Sequence, residues 1–276
     1  MEIFYVEEVI IASWVLALDF IDREFYHFEM TISDSEIQWL EFDLFQDFSK
    51  LQHASLLRHG GYSKGPYESL NLGLNSEDEY ASQNLNRITE TFSLSHLVWA
   101  EQCHSSDIQQ VTQRNQEHSF VCDGLSTGAA GLTLMIRHAD CQAAIFYDPI
   151  HHAVANVHSG WRGNVQNIYA KTIAHMGEQY GSKPEDLLVG ISPSLGPESA
   201  EFILYKTELP ESFWKFQKTE NHFDFWEISR MQLEQCGVLS HHIEIAGICT
   251  YSNPEDYFSY RRDRITGRHG TIVTLL

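Results

Sequence analysis

Ala153-Val154-Ala155-Asn156-Val157-His158-Ser159-Gly160-Trp161-Arg162-Gly163-Asn164 is the stretch on which the reading of this chain turns, because an apolar run ends there in histidine, glycine, tryptophan, arginine and glycine. The run fits a buried strand, and the two glycines allow a tight turn in which backbone approaches a ligand. From Asn164 onward Val165, Ile168, Thr172, Ile173, Met176 and Tyr180 keep helical spacing, and Gly181 stands where a C-terminal cap belongs. The spacing predicts one helix over Asn164–Tyr180. His158 and Arg162 then stand at a strand end and a helix start, where free N–H groups favour an anion such as phosphate. An ordinary βα turn with a half-buried histidine and a surface arginine fits these residues equally well.

Outward from this stretch the middle of the chain is rich in strands. Leu132–Arg137, Ala143–Tyr147 and Ala153–His158 are short apolar runs with polar breaks between them, and Leu187–Ile191 and Ile243–Ile248 repeat the pattern. Leu97–Gln102 reads as a strand leading into Cys103-His104. Helical spacing recurs at Leu85, Ile88 and Phe92 and, more weakly, over Phe225–Cys236. Adjacent strands with few helices between them predict an α+β sandwich of mixed sheets rather than a regular α/β wind. No linker divides the chain, so residues 51–276 read as one domain. Residues 1–50 read as an extension or first strands, with Ile10–Leu18 and Ile37–Phe45 open to either helix or strand.

The 276 residues carry 18 basic and 38 acidic side chains, a formal charge of −20. That balance repels nucleic acid and anionic membrane surfaces, so small anions are better partners than polyanions. Against it, Arg261, Arg262, Arg264 and Arg268 concentrate positive charge near the C-terminus. Five cysteines without a CxxC pair do not form a disulfide framework and point to a reducing compartment. The apolar run Val9–Phe20 is too short to span a bilayer and follows an acidic start, so the expectation is a cytoplasmic protein without signal or anchor.

His104, Cys141 and His158 form a candidate metal set. Ligands so far apart in sequence must be assembled by the fold, and three such donors leave zinc an open fourth position, as catalysis requires. Cys103, His138 and the pair His151-His152 are competing donors, each with a bland reading as a core or turn residue. The loop Arg58-His59-Gly60-Gly61-Tyr62-Ser63-Lys64-Gly65-Pro66-Tyr67 is a second, weaker candidate anion site, and by itself it reads better as a plain surface turn.

Gly60-Gly61-Tyr62-Ser63-Lys64-Gly65-Pro66-Tyr67-Glu68-Ser69-Leu70-Asn71-Leu72-Gly73, Gln102-Cys103-His104, Ala139-Asp140-Cys141, Val157-His158-Ser159-Gly160-Trp161-Arg162-Gly163, Ser194-Leu195-Gly196-Pro197 and Phe258-Ser259-Tyr260-Arg261-Arg262-Asp263 together resemble the YfiH-like family. This is the family of laccase-domain or polyphenol oxidase proteins, later called purine nucleoside phosphorylases. The resemblance runs in order from about His53 to the C-terminus. It implies a single-domain α+β sandwich that holds zinc through His104, Cys141 and His158. It also implies phosphorolysis of adenosine, inosine, guanosine and methylthioadenosine, with an accompanying adenosine deaminase activity.

On that reading Arg162 and Asp140 join the three ligands in the catalytic set, with Asp140 or Glu101 as proton carrier. Arg58, Ser63, Asn71 and Arg261 are candidates for phosphate, and Trp161 or Tyr260 for stacking on a base. The partners are purine nucleosides and phosphate, and the protein is a monomer or weak homodimer. This chain departs from the family's usual His-Gly-Phe-Ser-Thr-Arg at His53-Ala54-Ser55-Leu56-Leu57-Arg58, and Cys103 places a second thiol beside a ligand. Three other functions compete: a copper-dependent phenol oxidase, a hydrolase with Cys141 as nucleophile and His158 as base, and a non-catalytic binding protein.

Overall fold

A computed structural model describes residues 30–32, 37–74, 76–113 and 119–276. The candidate element Ile10–Leu18 and the run Val9–Phe20 lie outside them. In chain order the strands are β1 (Met30–Ile32), β2 (Gln38–Leu40), β3 (Leu51–Leu56), β4 (His96–Ala100), β5 (Ile108–Gln110), β6 (Ser119–Phe120), β7 (Gly124–Thr127), β8 (Leu132–His138), β9 (Gln142–Asp148), β10 (Ala153–Ser159), β11 (Leu188–Ile191), β12 (Gln217–Thr219), β13 (His222–Phe223), β14 (Ile243–Ile245) and β15 (His269–Leu275). The helices are α1 (Ala81–Thr91), α2 (Trp161–Val165), α3 (Ile168–Tyr180), α4 (Tyr205–Glu208), α5 (Glu211–Trp214), α6 (Phe225–Gln235) and α7 (Tyr260–Asp263).

Two mixed sheets face each other, one ordered β1-β2-β3-β15-β8-β4-β6 and the other β14-β11-β9-β10-β7-β5. The period of two along each strand sorts the side chains into layers. Leu134 and Ile136 of β8 meet Ile145, Tyr147 and Val154 between the sheets. The alternate residues Ala144, Phe146, Ala155 and Val157 pack outward against Ile168, Tyr169, Ile173 and Met176 of α3 and Leu233 of α6. Met135 and Ile272 pack on the opposite outer face against Ile88 and Phe92. Because β8, β9 and β10 are buried along their whole length on both faces, they read in sequence as unbroken apolar runs. The fold is the expected α+β sandwich with flanking helices.

Two expectations change in detail. Ile37–Phe45 is a short strand followed by a 3-10 turn at Asp43–Phe45, and β1 and β2 extend the first sheet at its edge. The helix predicted over Asn164–Tyr180 is broken in two. Asn167 adopts the left-handed conformation (φ +52°) and its side chain accepts from the Ala170 N–H at 3.2 Å, which starts α3 afresh. Asparagine tolerates that conformation and caps well, so it overrides the apolar spacing. Gly181 ends α3 at φ +79°, as the spacing predicts. No described helix is long and apolar enough to cross a membrane.

Candidate metal centre and active-site pocket

β9 and β10 pair antiparallel, with His158 opposite Ala143 and Ser159 opposite Gln142. That register brings the end of β10 beside Cys141, in the turn before β9. His104 lies in the turn after β4, with φ +59°, and its ring stacks on that of His158 with centroids 5.0 Å apart. A β-carbon built on Gly160 would stand 2.8 Å from Cys141 Sγ and 3.8 Å from His104 Nδ1. Glycine is needed there for space, since its φ of −78° suits any residue.

Asp123, wholly buried at the start of β7, organises these groups. Its Oδ1 accepts from His158 Nδ1 at 2.8 Å and from the His104 N–H at 3.0 Å. Oδ2 accepts from the N–H groups of Cys103 and Ser105 at 3.1 and 2.7 Å, from Ser105 Oγ at 3.0 Å and from the Cys103 thiol at 3.4 Å. His158 Nδ1 is thereby committed, and Nε2 is left for a metal or for the Cys141 thiol, which lies within hydrogen-bond reach. On the other side of His104, Gln166 at the helix break donates to its carbonyl at 3.0 Å.

Burial opposes charge on both partners of the Asp123–His158 pair. On His158 that penalty is outweighed by the Cys141 sulfur and the Asp123 carboxylate, which raise its pKa to about 9. Hydrogen bonds from His158 and Ser105 hold Asp123 far below the usual carboxylate range despite its burial. His104 is lowered by burial, then by the neighbouring His158, and further by Arg162 and Arg268.

One ligand atom from each of His104, Asp123 and His158 falls within 4.8 Å of the others. Asp123 already spends both oxygens on six donors, so it serves better as the support behind His158, the carboxylate–histidine–metal arrangement. Cys141, whose thiol lies within hydrogen-bond reach of His158, stands beside that group without belonging to it. The chemistry of one thiol and two imidazoles would suit zinc, and also copper.

His104 and Cys141 line a pocket of about 270 Å³, while His158 is buried against the His104 ring and does not line it. Asp140, Trp161, Arg162, Asn164, Phe202, Phe225, Tyr260, Arg261 and Arg264 are among the other residues that line it. Arg162 lies over the Trp161 ring at 4.4 Å, and Tyr260 stacks with both Arg264 and Arg268. Among the described residues Arg162, Arg261 and Arg264 have no carboxylate partner. Three such guanidiniums in a chain of charge −20 make the pocket locally attractive to anions. The five-residue α2 carries little dipole of its own, so the attraction comes from the side chains.

Arg58, Ser63 and Asn71 do not line this pocket. Arg58 lies over Phe258 at 4.7 Å and donates to the carbonyls of Glu68 and Pro254. Ser63 donates to Asp78, and Asn71 donates to Asp78 while accepting from Gly73 and Arg268 N–H groups. The glycine-rich loop thus braces itself. Glu101 is also outside the pocket lining. Asp140 lines the pocket, with both oxygens engaged by protein donors. Asp123 carries no signal in the sequence, being one carboxylate just before a strand, and the role of Gln166 is visible only once the helix breaks.

A family model described as multi-copper polyphenol oxidoreductase laccase matches residues 52–276. A Bacteroides thetaiotaomicron protein named purine nucleoside phosphorylase is 32% identical over 244 residues, covering 81% of this chain and 90% of its own. The Geobacillus stearothermophilus purine nucleoside phosphorylase YlmD is 35% identical over 233 residues, covering 76% and 85%. The crystal structure of YlmD from that organism aligns with a TM-score of 0.77 at 30% identity over 86% of this chain and 96% of its own. With the fold, the converging donors and the matched residues in agreement, this chain belongs to the YfiH-like, laccase-domain family.

Proposed function

We propose that the chain is a zinc-dependent purine nucleoside phosphorylase, converting a nucleoside and phosphate to the free base and ribose 1-phosphate, with adenosine deaminase activity at the same site. The observation that carries this reading is that His104, stacked on His158, and Cys141 line a pocket whose arginines have no carboxylate partner among the described residues. The purine nucleoside phosphorylase names of the relatives support it. In the phosphorolytic step the bond from ribose C1′ to the base breaks as a phosphate oxygen bonds to C1′, and the base leaves with a proton. Arg162 and Arg261 hold and orient phosphate through charge-assisted hydrogen bonds. Trp161 and Tyr260 present ring faces to the base, and Phe202 and Phe225 exclude water from that end of the pocket. His104, Cys141 and His158 would hold zinc, which supplies Lewis-acid chemistry for activating water or polarising a substrate oxygen. Adenosine, inosine, guanosine and methylthioadenosine are the proposed substrates.

The contact between Cys141 and His158, with Asp123 behind the histidine, favours one second reading. It is the geometry of a Cys–His–Asp hydrolase. Phenol oxidation by several coppers would need further ligand clusters, and the described residues hold one.

The test is to incubate metal-defined protein with adenosine and phosphate while resolving adenine, inosine, hypoxanthine and ribose 1-phosphate. Phosphate-dependent release of base, lost on chelation and restored by zinc, is expected. Copper-dependent phenol oxidation without nucleoside turnover would overturn the proposal, and hydrolysis that survives chelation would favour the cysteine reading.

A further inference from the structure

We propose that Asp140 is a positioning residue: it ties the turn that carries Cys141 to the helix that carries Tyr260 and Arg261, and so sets the pocket's affinity for phosphate without touching it. This rests on the phosphate-binding reading above.

Asp140 stands next to Cys141 with φ +85°, a conformation aspartate tolerates better than most residues. Its Oδ1 accepts from Thr250 Oγ1 at 2.8 Å, and its Oδ2 accepts from the Arg261 backbone N–H at 2.6 Å. Its carbonyl accepts from the Leu195 N–H at 2.8 Å. The turn is therefore held by three separate segments.

At the other end of the tie, α7 is four residues long and has no stability of its own. Ser259 caps it by accepting from the Arg262 N–H at 3.2 Å, and Asp140 satisfies the next exposed donor, that of Arg261. The Arg262 guanidinium then donates to the carbonyls of Thr250 and Tyr251, at 2.9 Å each, and to that of Tyr257 at 2.9 Å. Thr250 is wholly buried and is gripped twice, through its hydroxyl by Asp140 and through its carbonyl by Arg262. The result is a closed ring of contacts running from Asp140 through Thr250 and Arg262 back along α7 to Arg261. Arg261 itself is fixed through Nη1 to the carbonyls of Ser199 and Glu201, at 3.2 and 3.1 Å, leaving its other guanidinium donors for the pocket.

A carboxylate occupied in this way has its geometry set by donors that do not take part in the reaction. Asparagine can keep both contacts: its amide oxygen accepts from Arg261, and its NH2 donates to the Thr250 hydroxyl, which rotates to accept. Alanine loses both. A proton carrier would behave in the opposite manner, since asparagine abolishes proton transfer whatever its geometry.

The experiment is calorimetric titration of inorganic phosphate into the zinc-loaded protein, run beside nucleoside turnover and metal analysis. Asp140→Ala is expected to weaken phosphate binding about tenfold or more with zinc retained, the effect of losing two hydrogen bonds that fix a charged group. Asp140→Asn should stay within about threefold of the parent in phosphate Kd and kcat. Thr250→Val, which keeps the carboxylate and removes one donor, should weaken binding in the same direction by a smaller factor, and it decides the matter if Asp140→Ala does not fold. Unchanged phosphate Kd in Asp140→Ala or in Thr250→Val overturns the proposal. So does an Asp140→Asn protein that binds phosphate normally but has lost kcat. A parent protein that binds no phosphate overturns this inference together with the reading it rests on. One that binds phosphate and cleaves no nucleoside overturns only the phosphorylase reading, and the Kd comparison still decides the role of Asp140.

Discussion

Asp123 Oδ1 accepts a 2.8 Å hydrogen bond from His158 Nδ1 while the same oxygen accepts from the backbone N–H of His104. One carboxylate therefore fixes the ring orientation of one candidate ligand and the main-chain path to another, 54 residues apart in sequence. Asp123→Asn should lower zinc affinity about 10–100-fold, read by competition with a chromophoric chelator. Zinc affinity equal to the parent would show that the two histidines hold their places without it.

Gly160 leaves no room for a side chain. The methyl of Gly160→Ala would stand 2.8 Å from Cys141 Sγ, closer than van der Waals contact allows, and the sulfur must move. Zinc content should fall at least tenfold, in proportion to about 1.4 kcal/mol or more of lost ligation, while circular dichroism keeps the signature of the sandwich. Full zinc occupancy in this variant would remove Cys141 from the ligand set.

Arg162 lines the pocket and has no carboxylate partner among the described residues. Its replacement by alanine should raise the KM for phosphate about 10–100-fold, the effect of losing a charge-assisted hydrogen bond, with zinc retained and the nucleoside KM little changed. Unchanged phosphate dependence would assign the anion to Arg261 or Arg264 instead.

Acid should destabilise the fold through two buried histidines away from the metal donors. His53 Nε2 accepts from the Phe42 N–H at 2.8 Å and His269 Nε2 from the Phe258 N–H at 2.7 Å, so both must be neutral. Burial pushes His53 down to about 4 and His269 down to about 3. The unfolded chain takes up these protons near pH 6.5 and the folded chain does not. The stability contributed by these two rings is therefore complete above about 6.5 and falls as the pH drops toward 4, by about 1.4 kcal/mol per pH unit for each histidine. Urea unfolding at pH 7 and pH 5 measures the slope, and His53→Gln should reduce it by one histidine's share. A flat profile over that range would mean that neither ring is held neutral.

The sandwich was legible because strands buried on both faces write themselves as unbroken runs of Val, Ile, Leu, Ala and Phe, and β8, β9 and β10 are of that kind. Among fifteen histidines and five cysteines, family resemblance singles out His104, Cys141 and His158; their local residues leave the choice open. The helix break at Asn167 was hidden because the apolar spacing continues across it, and a single asparagine in the left-handed conformation leaves no mark on that pattern. Arg58, Ser63 and Asn71 show the limit of composition. A loop rich in glycine, serine and asparagine looks the same whether it cradles an anion or satisfies its own polar groups, and here Ser63 and Asn71 are engaged by Asp78 and by the Gly73 N–H.

The strand latest in sequence, β15, lies in the interior of the first sheet between β3 and β8 rather than at its border. During synthesis the pocket cannot be completed before the segment that carries α7 and β15 has been made, since both follow every other described element in the chain. Until β15 inserts, β3 and β8 stand as open, adhesive edges. The arginine helix α7, only a few residues ahead of β15, is placed against the Cys141 turn in the same closing stage. A newly made chain thus passes through an interval with its sheet unsealed and its chemistry unassembled, and that interval, more than the finished fold, is where this protein is most exposed to aggregation.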